Sequence, residues 1–421
     1  MERYEAYKDS GVEWIGEIPA GWGVNKLGNL GRYINGYAFK PDQWGDEGLP
    51  IIRIQDLTGS NDSPNYYSGK IDEKYLVSKG DLLVSWAATI GVYWWTRNPG
   101  WLNQHIFRVI PLKGMCDKQF FYWMLNAAID ALDNENKHGI MMEHLTLAVF
   151  NAFKVPLPSM REQHAIADYL DAKTAEVDAL VADCEREVGL LREYRKAVVS
   201  EAVTKGLDPD APMKDSGVEW IGEIPEAWGI VPFKAIGTVA ANLQHPSDYP
   251  DLPQVSPDRI EKDSGRLLPC VSVAEVGVES DNHLFHAGDI LYSKVRPALN
   301  KVTVAPFDGM CSADMYPIES SQNKRWLVFY MLSYAFMEQV IVSTDRVKMP
   351  KINTEELGAF KVVLPSSDAQ CEIADYLDAK TAEIDALVEA KQQMADKLRE
   401  YRKSLISEAV TGKFKVSGVD K

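Results

Sequence analysis

Ala167-Asp-Tyr-Leu-Asp-Ala-Lys-Thr-Ala-Glu-Val-Asp-Ala-Leu180 returns almost letter for letter at Ala374 to Leu387, with Ile384 in place of Val177. The copies are 207 residues apart, and the spacing persists downstream, where Leu191-Arg-Glu-Tyr-Arg-Lys196 recurs as Leu398-Arg-Glu-Tyr-Arg-Lys403. A third piece, Lys8-Asp-Ser-Gly-Val-Glu-Trp-Ile-Gly-Glu-Ile-Pro19, comes back at Lys214 to Pro225, 206 residues on. The chain is therefore two units joined head to tail.

The repeated stretch lies in a long helix. Apolar side chains recur at spacings of three and four through Ile166, Leu170, Val177, Leu180 or Val181, Cys184, Val188, Leu191 and Val198. Ser159-Met-Arg-Glu162 fits a capping box, and Gly206 with Pro209 marks the stop. About 43 residues at 1.5 Å each predict a rod of roughly 65 Å. A stripe of that length asks for a partner helix. The second copy carries one at Ile373, Leu377, Ile384, Leu387, Met394, Leu398 and Leu405, with Ser367-x-x-Gln370 as its cap. The expectation is an antiparallel coiled coil within the chain; a homodimeric coiled coil is the alternative.

Between the repeated pieces lie α+β domains. Leu49 to Leu57, Gly80-Asp-Leu-Leu-Val-Ser-Trp86 and His105-Ile-Phe-Arg-Val-Ile-Pro111 read as strands, and Phe120 to Leu132 as a helix. Gly288-Asp-Ile-Leu-Tyr-Ser293 answers Gly80 to Ser85, and Ala359-Phe-Lys-Val-Val-Leu-Pro365 answers Ala152-Phe-Lys-Val-Pro-Leu-Pro158. Between those anchors the halves share little, so the scaffold is duplicated and its surfaces are not. The boundaries this gives are an N-terminal repeat segment, 1–22; a first domain, 23–158; a first spacer helix, 159–213; the second repeat segment and domain, 214–366; and a second spacer helix with tail, 367–421. If the repeat order reflects symmetry, residues 8–19 pack near Ser407 to Lys413 and close the unit into a ring.

Composition is that of a globular protein: 421 residues, 46% hydrophobic and 25% charged. No apolar run approaches eighteen residues and the start lacks a signal pattern, which reads as cytoplasmic. Five scattered cysteines without a C-x-x-C pair read as reduced packing residues, and His283-x-x-His286 has no ligand-spaced partner, so no metal site is expected. The net charge of −16 argues at first against nucleic acid, but residues 23–158 hold 13 basic and 13 acidic residues and 229–366 hold 13 and 16. The acidity sits in the repeated helices and KDSGVEWIGEIP pieces.

No Walker-type loop, dinucleotide fingerprint, nucleophile elbow or amino-methyltransferase Asn/Asp-Pro-Pro-aromatic signature is present. Pro41-Asp42 with Asp72-x-Lys74 formally fits a loose metal-dependent nuclease pattern and reads as surface turns. What remains are polar, basic and aromatic residues in the diverged loops, the chemistry that reads base edges. The candidates are Tyr37, Phe39, Lys40, Arg53, Gln55, Gln104 and His138 in the first domain, and Lys294, Arg296, Lys301, Arg346, Lys348 and Lys351 in the second.

The chain resembles the specificity subunit of Type I restriction-modification enzymes across essentially its whole length. The resemblance rests on the helix start at Pro156 to Gln163, the Gly-Asp-[LI]-Leu strands at 80 and 288, Gly36-Tyr-Ala-Phe-Lys40 and the second start at Gln370; Ala369 departs from the Glu162 pattern. It implies a non-catalytic subunit whose two pseudo-symmetric target-recognition domains each read half of a bipartite, asymmetric double-stranded DNA site. The helices then set the gap and dock two modification subunits, with Asp168, Asp171, Glu176, Asp375, Asp378 and Glu383 as docking candidates. The assembled complex would use S-adenosylmethionine for adenine methylation, and ATP and Mg²⁺ for restriction subunits. Two readings from other classes are a restriction-modification polypeptide with its own active centre and a coiled-coil adaptor that never touches DNA.

Overall fold

A computed structural model describes residues 2–60, 63–87, 89–137, 147–344 and 350–417. The chain divides into two compact units: Met1–Asp183 with Met394–Lys421, and Cys184–Gln393. Each unit is α+β.

In unit 1 the hairpin Tyr7–Asp9/Glu17–Pro19 opens the chain, and Gly23–Lys26 pairs antiparallel with Lys154–Leu157. A four-stranded antiparallel sheet follows in the order Gly31–Asn35, Ile106–Pro111, Leu82–Ser85, Gly91–Trp94. A second, distal sheet runs Tyr66–Tyr67, Leu49–Ile52, Gly100–Leu102, Leu76–Val77, with Leu49–Ile52 and Gly100–Leu102 parallel. The helices Lys118–Lys137 and Leu147–Ala152 pack on the first sheet through Phe120, Phe121 and Phe150.

Unit 2 repeats this plan. The hairpin Met213–Asp215/Glu223–Pro225, the pair Gly229–Pro232/Lys361–Leu364 and a sheet ordered Thr238–Val239, Met315–Glu319, Ile290–Ser293, Val302–Val304 are the counterparts. Its distal sheet is ordered Leu243–Gln244, Asn282–Phe285, Gly309–Ser312, Gln254–Val255, again with one parallel pair, Gln254–Val255 beside Gly309–Ser312. The distal cores also correspond: Ile52, Val77, Leu83, Leu102 and Ile106 in unit 1 are answered by Val255, Phe285, Leu291, Cys311 and Met315.

The Gly-Asp anchor has the same job in both units. Gly80 and Gly288 hold φ of 89° and 90°, a left-handed conformation that glycine adopts without a Cβ clash. The carboxylate of Asp81 accepts from the Ser78 N–H at 2.8 Å, and that of Asp289 from the His286 N–H at 2.8 Å. The turn into the central strand is thus fixed locally, and the anchor survives where neighbouring sequence has diverged.

The first long helix is Met160–Lys205, 46 residues and about 69 Å at 1.5 Å per residue; the second is Ser367–Val410, 44 residues. Ser159 and Glu162 form the expected box, the Ser159 N–H and hydroxyl donating to the Glu162 carboxylate at 3.0 and 2.7 Å. The second cap differs from expectation. Ser366, not Ser367, accepts from the Ala369 N–H at 3.3 Å, and Ser367 is already helical.

The two helices run in opposite directions within each unit. In unit 2, Arg195 bonds Asp385 through two N–H groups at 2.9 and 3.2 Å, and Glu187, eight residues back, pairs with Lys391, six residues forward. In unit 1, Arg402 pairs with Asp178 at 2.8 Å while the Tyr169 and Phe414 rings meet at 5.7 Å. Arg195 and Arg402 occupy equivalent places in the repeat, as do Asp178 and Asp385. The expected apolar seam holds at Ile166, Leu170, Val177, Cys184, Val188, Ile373, Leu377, Ile384 and Leu405. At the Leu180 or Val181 position it is the half-buried Val181 that serves, Leu180 being exposed; the seam fails at Leu387 and Met394, which are exposed, while the small Ala395 is buried.

Each helix end tucks under a KDSGVEWIGEIP hairpin. In unit 1 the Lys413 ammonium donates to the carbonyls of Ile15 and Glu17 at 2.8 and 2.7 Å, so residues 8–19 do lie against the end of the second helix. A Cβ on Gly412 would stand 2.5 Å from Pro19; in unit 2 a Cβ on the equivalent Gly206 would stand 3.2 Å from Trp228.

Candidate nucleic-acid interface

A parallel strand pair brings both its carboxyl ends to one edge, and in each unit that edge collects the candidate residues. In unit 1, Ile52 stands opposite Leu102, so Arg53 and Asn103-Gln104 emerge side by side. Tyr37 joins them, forming a bridge with Asn103 and accepting the Gln104 N–H at 3.0 Å. The Arg53 guanidinium lies 5.0 Å from the Trp44 ring centre, a cation–π contact that holds it over the surface, and Gln55 and Lys40 are exposed. Phe39 is buried among Tyr37 and Tyr67 and supports the edge without facing solvent. His138 lies outside the described residues.

In unit 2 the corresponding edge follows Val255 and Ser312. The Lys294 N–H donates to the Asp314 carbonyl at 3.0 Å, its ammonium sits 4.7 Å from the Tyr316 ring centre, and Lys351 pairs with the Asp314 carboxylate at 3.6 Å. Burial pushes the Lys294 ammonium below its usual pKa, and Lys351 adds to this while Asp314 opposes it. Arg296 is exposed, with φ 48° ahead of Pro297, a left-handed conformation costing roughly 1–2 kcal/mol for a residue with a Cβ. Its backbone is locked by a bond from its N–H to the Pro350 carbonyl at 3.1 Å. Lys301 differs: its ammonium donates to the Pro257 carbonyl at 2.6 Å, which ties down a loop. Arg346 and Lys348 lie outside the described residues.

Trp86, His105 and Asp314, which sequence reading missed, become plain when the units are compared. Trp86 follows Ser85 and bonds the His105 carbonyl at 3.2 Å through its backbone N–H, as Lys294 follows Ser293 and bonds that of Asp314. In unit 1 the indole stacks on Phe107 at 5.8 Å; in unit 2 the ammonium stands over Tyr316. The same backbone thus presents Trp86 and His105 in one unit and Lys294 and Asp314 in the other. The residue after each Gly-Asp-[LI]-Leu-x-Ser anchor was the available signal.

The model of the Type I restriction modification DNA specificity domain matches twice, at residues 19–183 and 236–395. The chain belongs to that family. It is 30% identical over 311 residues to the Type I restriction enzyme EcoDI specificity subunit of Escherichia coli, covering 70% of each chain. The EcoBI specificity subunit, also from Escherichia coli, is 26% identical over 431 residues, 96% of this chain and 89% of that one. A chain from a structure on complex assembly and conformational transition of the type I R-M system shares the fold, with a TM-score of 0.66 at 16% identity over 93% of this chain and 98% of that one. A specificity subunit is the DNA-recognising, non-catalytic member of its system.

The specificity-subunit family also frames the acidic residues on the long helices. Asp171 accepts from Trp123 Nε1 at 2.8 Å and Gln119 Nε2 at 2.9 Å, and Asp375 and Asp378 both hold Arg325, the former at 2.7 Å. These three bind helix to domain inside their own units. Glu176 and Glu383 pair with Lys173 and Lys380 one turn away, and Asp168 is exposed. The nuclease-like pattern is used locally: the Asp72 carboxylate accepts the Lys74 N–H at 2.9 Å and pairs with its ammonium at 3.2 Å. No group of acidic, His and Cys residues among the described residues could hold a metal ion, and no single described helix is long and apolar enough to cross a membrane.

Proposed function

We propose that each unit reads one half of a bipartite, asymmetric DNA site, and that the two long helices, paired as an antiparallel coiled coil, fix the gap between the halves. The observation that carries this reading is the shared scaffold: one backbone plan presents Trp86 and His105 in unit 1 and Lys294 and Asp314 in unit 2, with Tyr37, Arg53 and Gln104 as further candidates in the first unit and Arg296 and Lys351 in the second. Base contacts specify while phosphate contacts position, so unlike side chains on a like scaffold read unlike half-sites. The target-recognition domains lie within residues 23–158 and, behind the second repeat segment, 214–366, and Gln55 and Lys40 flank the first reading edge.

The helices also dock two modification subunits in the cytoplasm. Tyr169, Lys173, Glu176 and Leu180 fall on one helix face, and Tyr376, Lys380, Glu383 and Leu387 repeat it. Tyr401 lies within electrostatic reach of Tyr169 and Lys173 in unit 1, and Tyr194 acts likewise on Lys380 in unit 2. Leu180, Leu387, Tyr194 and Tyr401 are all about half exposed, and identity at exposed positions that no local packing requires supports one kind of partner bound twice. The complex draws on S-adenosylmethionine, with ATP and Mg²⁺ where restriction subunits join. Methylation mapping of DNA from cells expressing the chain with its modification partner tests the reading: methyladenine in two unlike half-sites at a fixed gap is expected, and continuous or palindromic sites would overturn it. If the purified chain alone methylated or cut DNA, the enzyme alternative would stand instead.

A further inference from the structure

An acidic side chain on a DNA-reading edge needs a reason, because phosphate repels it from every sequence alike. Asp314 is such a residue. It sits just past Ser312, where the strand Gly309–Ser312 ends, flanked by Lys294 and Lys351, with its side chain about half exposed. The Asp314 N–H donates to the Ser312 hydroxyl at 3.2 Å and its carbonyl accepts the Lys294 N–H at 3.0 Å, so the residue is held from both sides. The position is occupied in unit 1 by His105, on the same backbone bond. An acid that served only to anchor lysines would not need the place from which the other unit presents an imidazole.

We propose that Asp314 is a specificity-determining residue of unit 2, its carboxylate accepting a hydrogen bond from an exocyclic amino group, cytosine N4 or adenine N6, in the major groove. A carboxylate is acceptor-only, so it pairs with an amino group and turns away the keto oxygens of guanine and thymine. Lys351 at 3.6 Å and the nearby Lys294 offset the charge against the phosphates without filling the carboxylate's acceptor sites. Lys351 and Lys294 balance its charge; Asp314 chooses the base at its own position.

The inference rests on the proposed reading of a bipartite site, and the test separates the two. Cells expressing the full chain with its modification partner are compared by methylation mapping for wild type, Asp314→Asn and Asp314→Ala. Wild type must give bipartite sites; if it gives none, the parent reading fails and this inference with it. Given those sites, Asp314→Ala should relax one position of one half-site by about 10- to 100-fold and leave the other half-site unchanged. The base lost identifies the donor, cytosine or adenine. Asp314→Asn, isosteric and able to donate, should admit guanine or thymine at the same position. An unchanged set of sites, or a uniform change in methylation across all sites, overturns the proposal, since either means that the carboxylate only balances charge. Normal methylation of the first half-site's sequence in the variants certifies that they fold.

Discussion

The distal sheets of the two units share three strands and part company at the fourth. In unit 1, Tyr66–Tyr67 adds to Leu49–Ile52; in unit 2, Leu243–Gln244 adds to the opposite edge, against Asn282–Phe285. The residues after Asn35 therefore run to the proposed reading edge as Gly36-Tyr37, whereas Leu243–Gln244 pair on the far side. Beneath this, the parallel pair, the Gly-Asp turn and the core positions are the same. Divergence has acted on what covers the edge and what projects from it, and left alone the backbone that aims it. A specificity protein can change target by that route without risking its fold, because strand ends and loops carry few of the buried contacts on which stability depends.

The long helices belong to both units alike, and that equivalence can be broken outright. Inserting four residues, about one helical turn, near Val188 should abolish methylation of the native site and create sites with a different gap and the same two half-sequences. Methylation mapping reads the outcome. Altered half-sequences, or an unchanged gap, would show that the helix is not the spacer.

A second test asks whether the two scaffolds bear equal loads. Gln163 and Gln370 are each 1% exposed and make matching clamps: the Asp117 N–H donates to Gln163 Oε1 at 2.7 Å and the Asn323 N–H to Gln370 Oε1 at 3.0 Å. Each amide nitrogen also donates to the carbonyl that precedes its helix, Pro158 at 3.0 Å and Pro365 at 3.1 Å. Replacing either with Ala strands buried polar groups and should cost about 2–3 kcal/mol in its own unit. Thermal unfolding should show similar downward shifts for the two variants; a large shift for one alone would break the equivalence.

Smaller still is the effect on binding of one reading residue. Arg53→Ala should relax one position of the first half-site by about 1–3 kcal/mol, and Arg296→Ala one position of the second, each leaving the other half-site alone. Lys301→Ala sharpens the contrast, because a lysine spent on the Pro257 carbonyl should change stability and not base preference. Binding to duplexes with single base-pair changes separates these outcomes.

How much of this was legible depended on whether a feature repeats. The long helices, the Gly-Asp strands and the hairpin under each helix end are written twice, and duplication supplied the comparison that one sequence otherwise lacks. Of the distal sheets only Leu49–Ile52 was legible, and there the expected strand to Leu57 gives way to the short helix Ile54–Thr58; the other strands, of two to four residues, are too short for period-two alternation to register. The apolar stripe over-reached at Leu387 and Met394 because the helices meet the α+β domains as well as each other, and the buried position beside Met394 falls to the small Ala395. Charge was read by type and not by partner: Asp171, Asp375 and Asp378 looked like docking acids, and each is bound to its own domain through Trp123 or Arg325. No spacing rule reveals a partner some fifty residues away.

The smallest predicted effect comes from the one place where the repeated scaffold is incomplete. In unit 1 the Glu162 carboxylate takes bonds from Ser159 and from Trp22 Nε1, the latter at 2.8 Å, and Trp22 is 2% exposed. In unit 2 Ala369 stands in its place, Ser366 caps alone, and Trp228, the counterpart of Trp22, is only half-buried. Restoring the acid with Ala369→Glu should complete the box, give the Trp228 indole an acceptor and place a negative charge in the first helical turn. A gain of about 0.5–1 kcal/mol is expected, split between the cap and the helix dipole. It should appear as a small rise in the unfolding temperature, and Glu162→Ala should move unit 1 the other way by more, because there a buried indole N–H loses its partner. A rise with the first variant and a larger fall with the second would mean that the two caps are one device at two stages of completion. No rise with Ala369→Glu would mean that Trp228 and Ser366 have settled into an arrangement of their own, and that the scaffold has begun to diverge where the sequence still looks repeated.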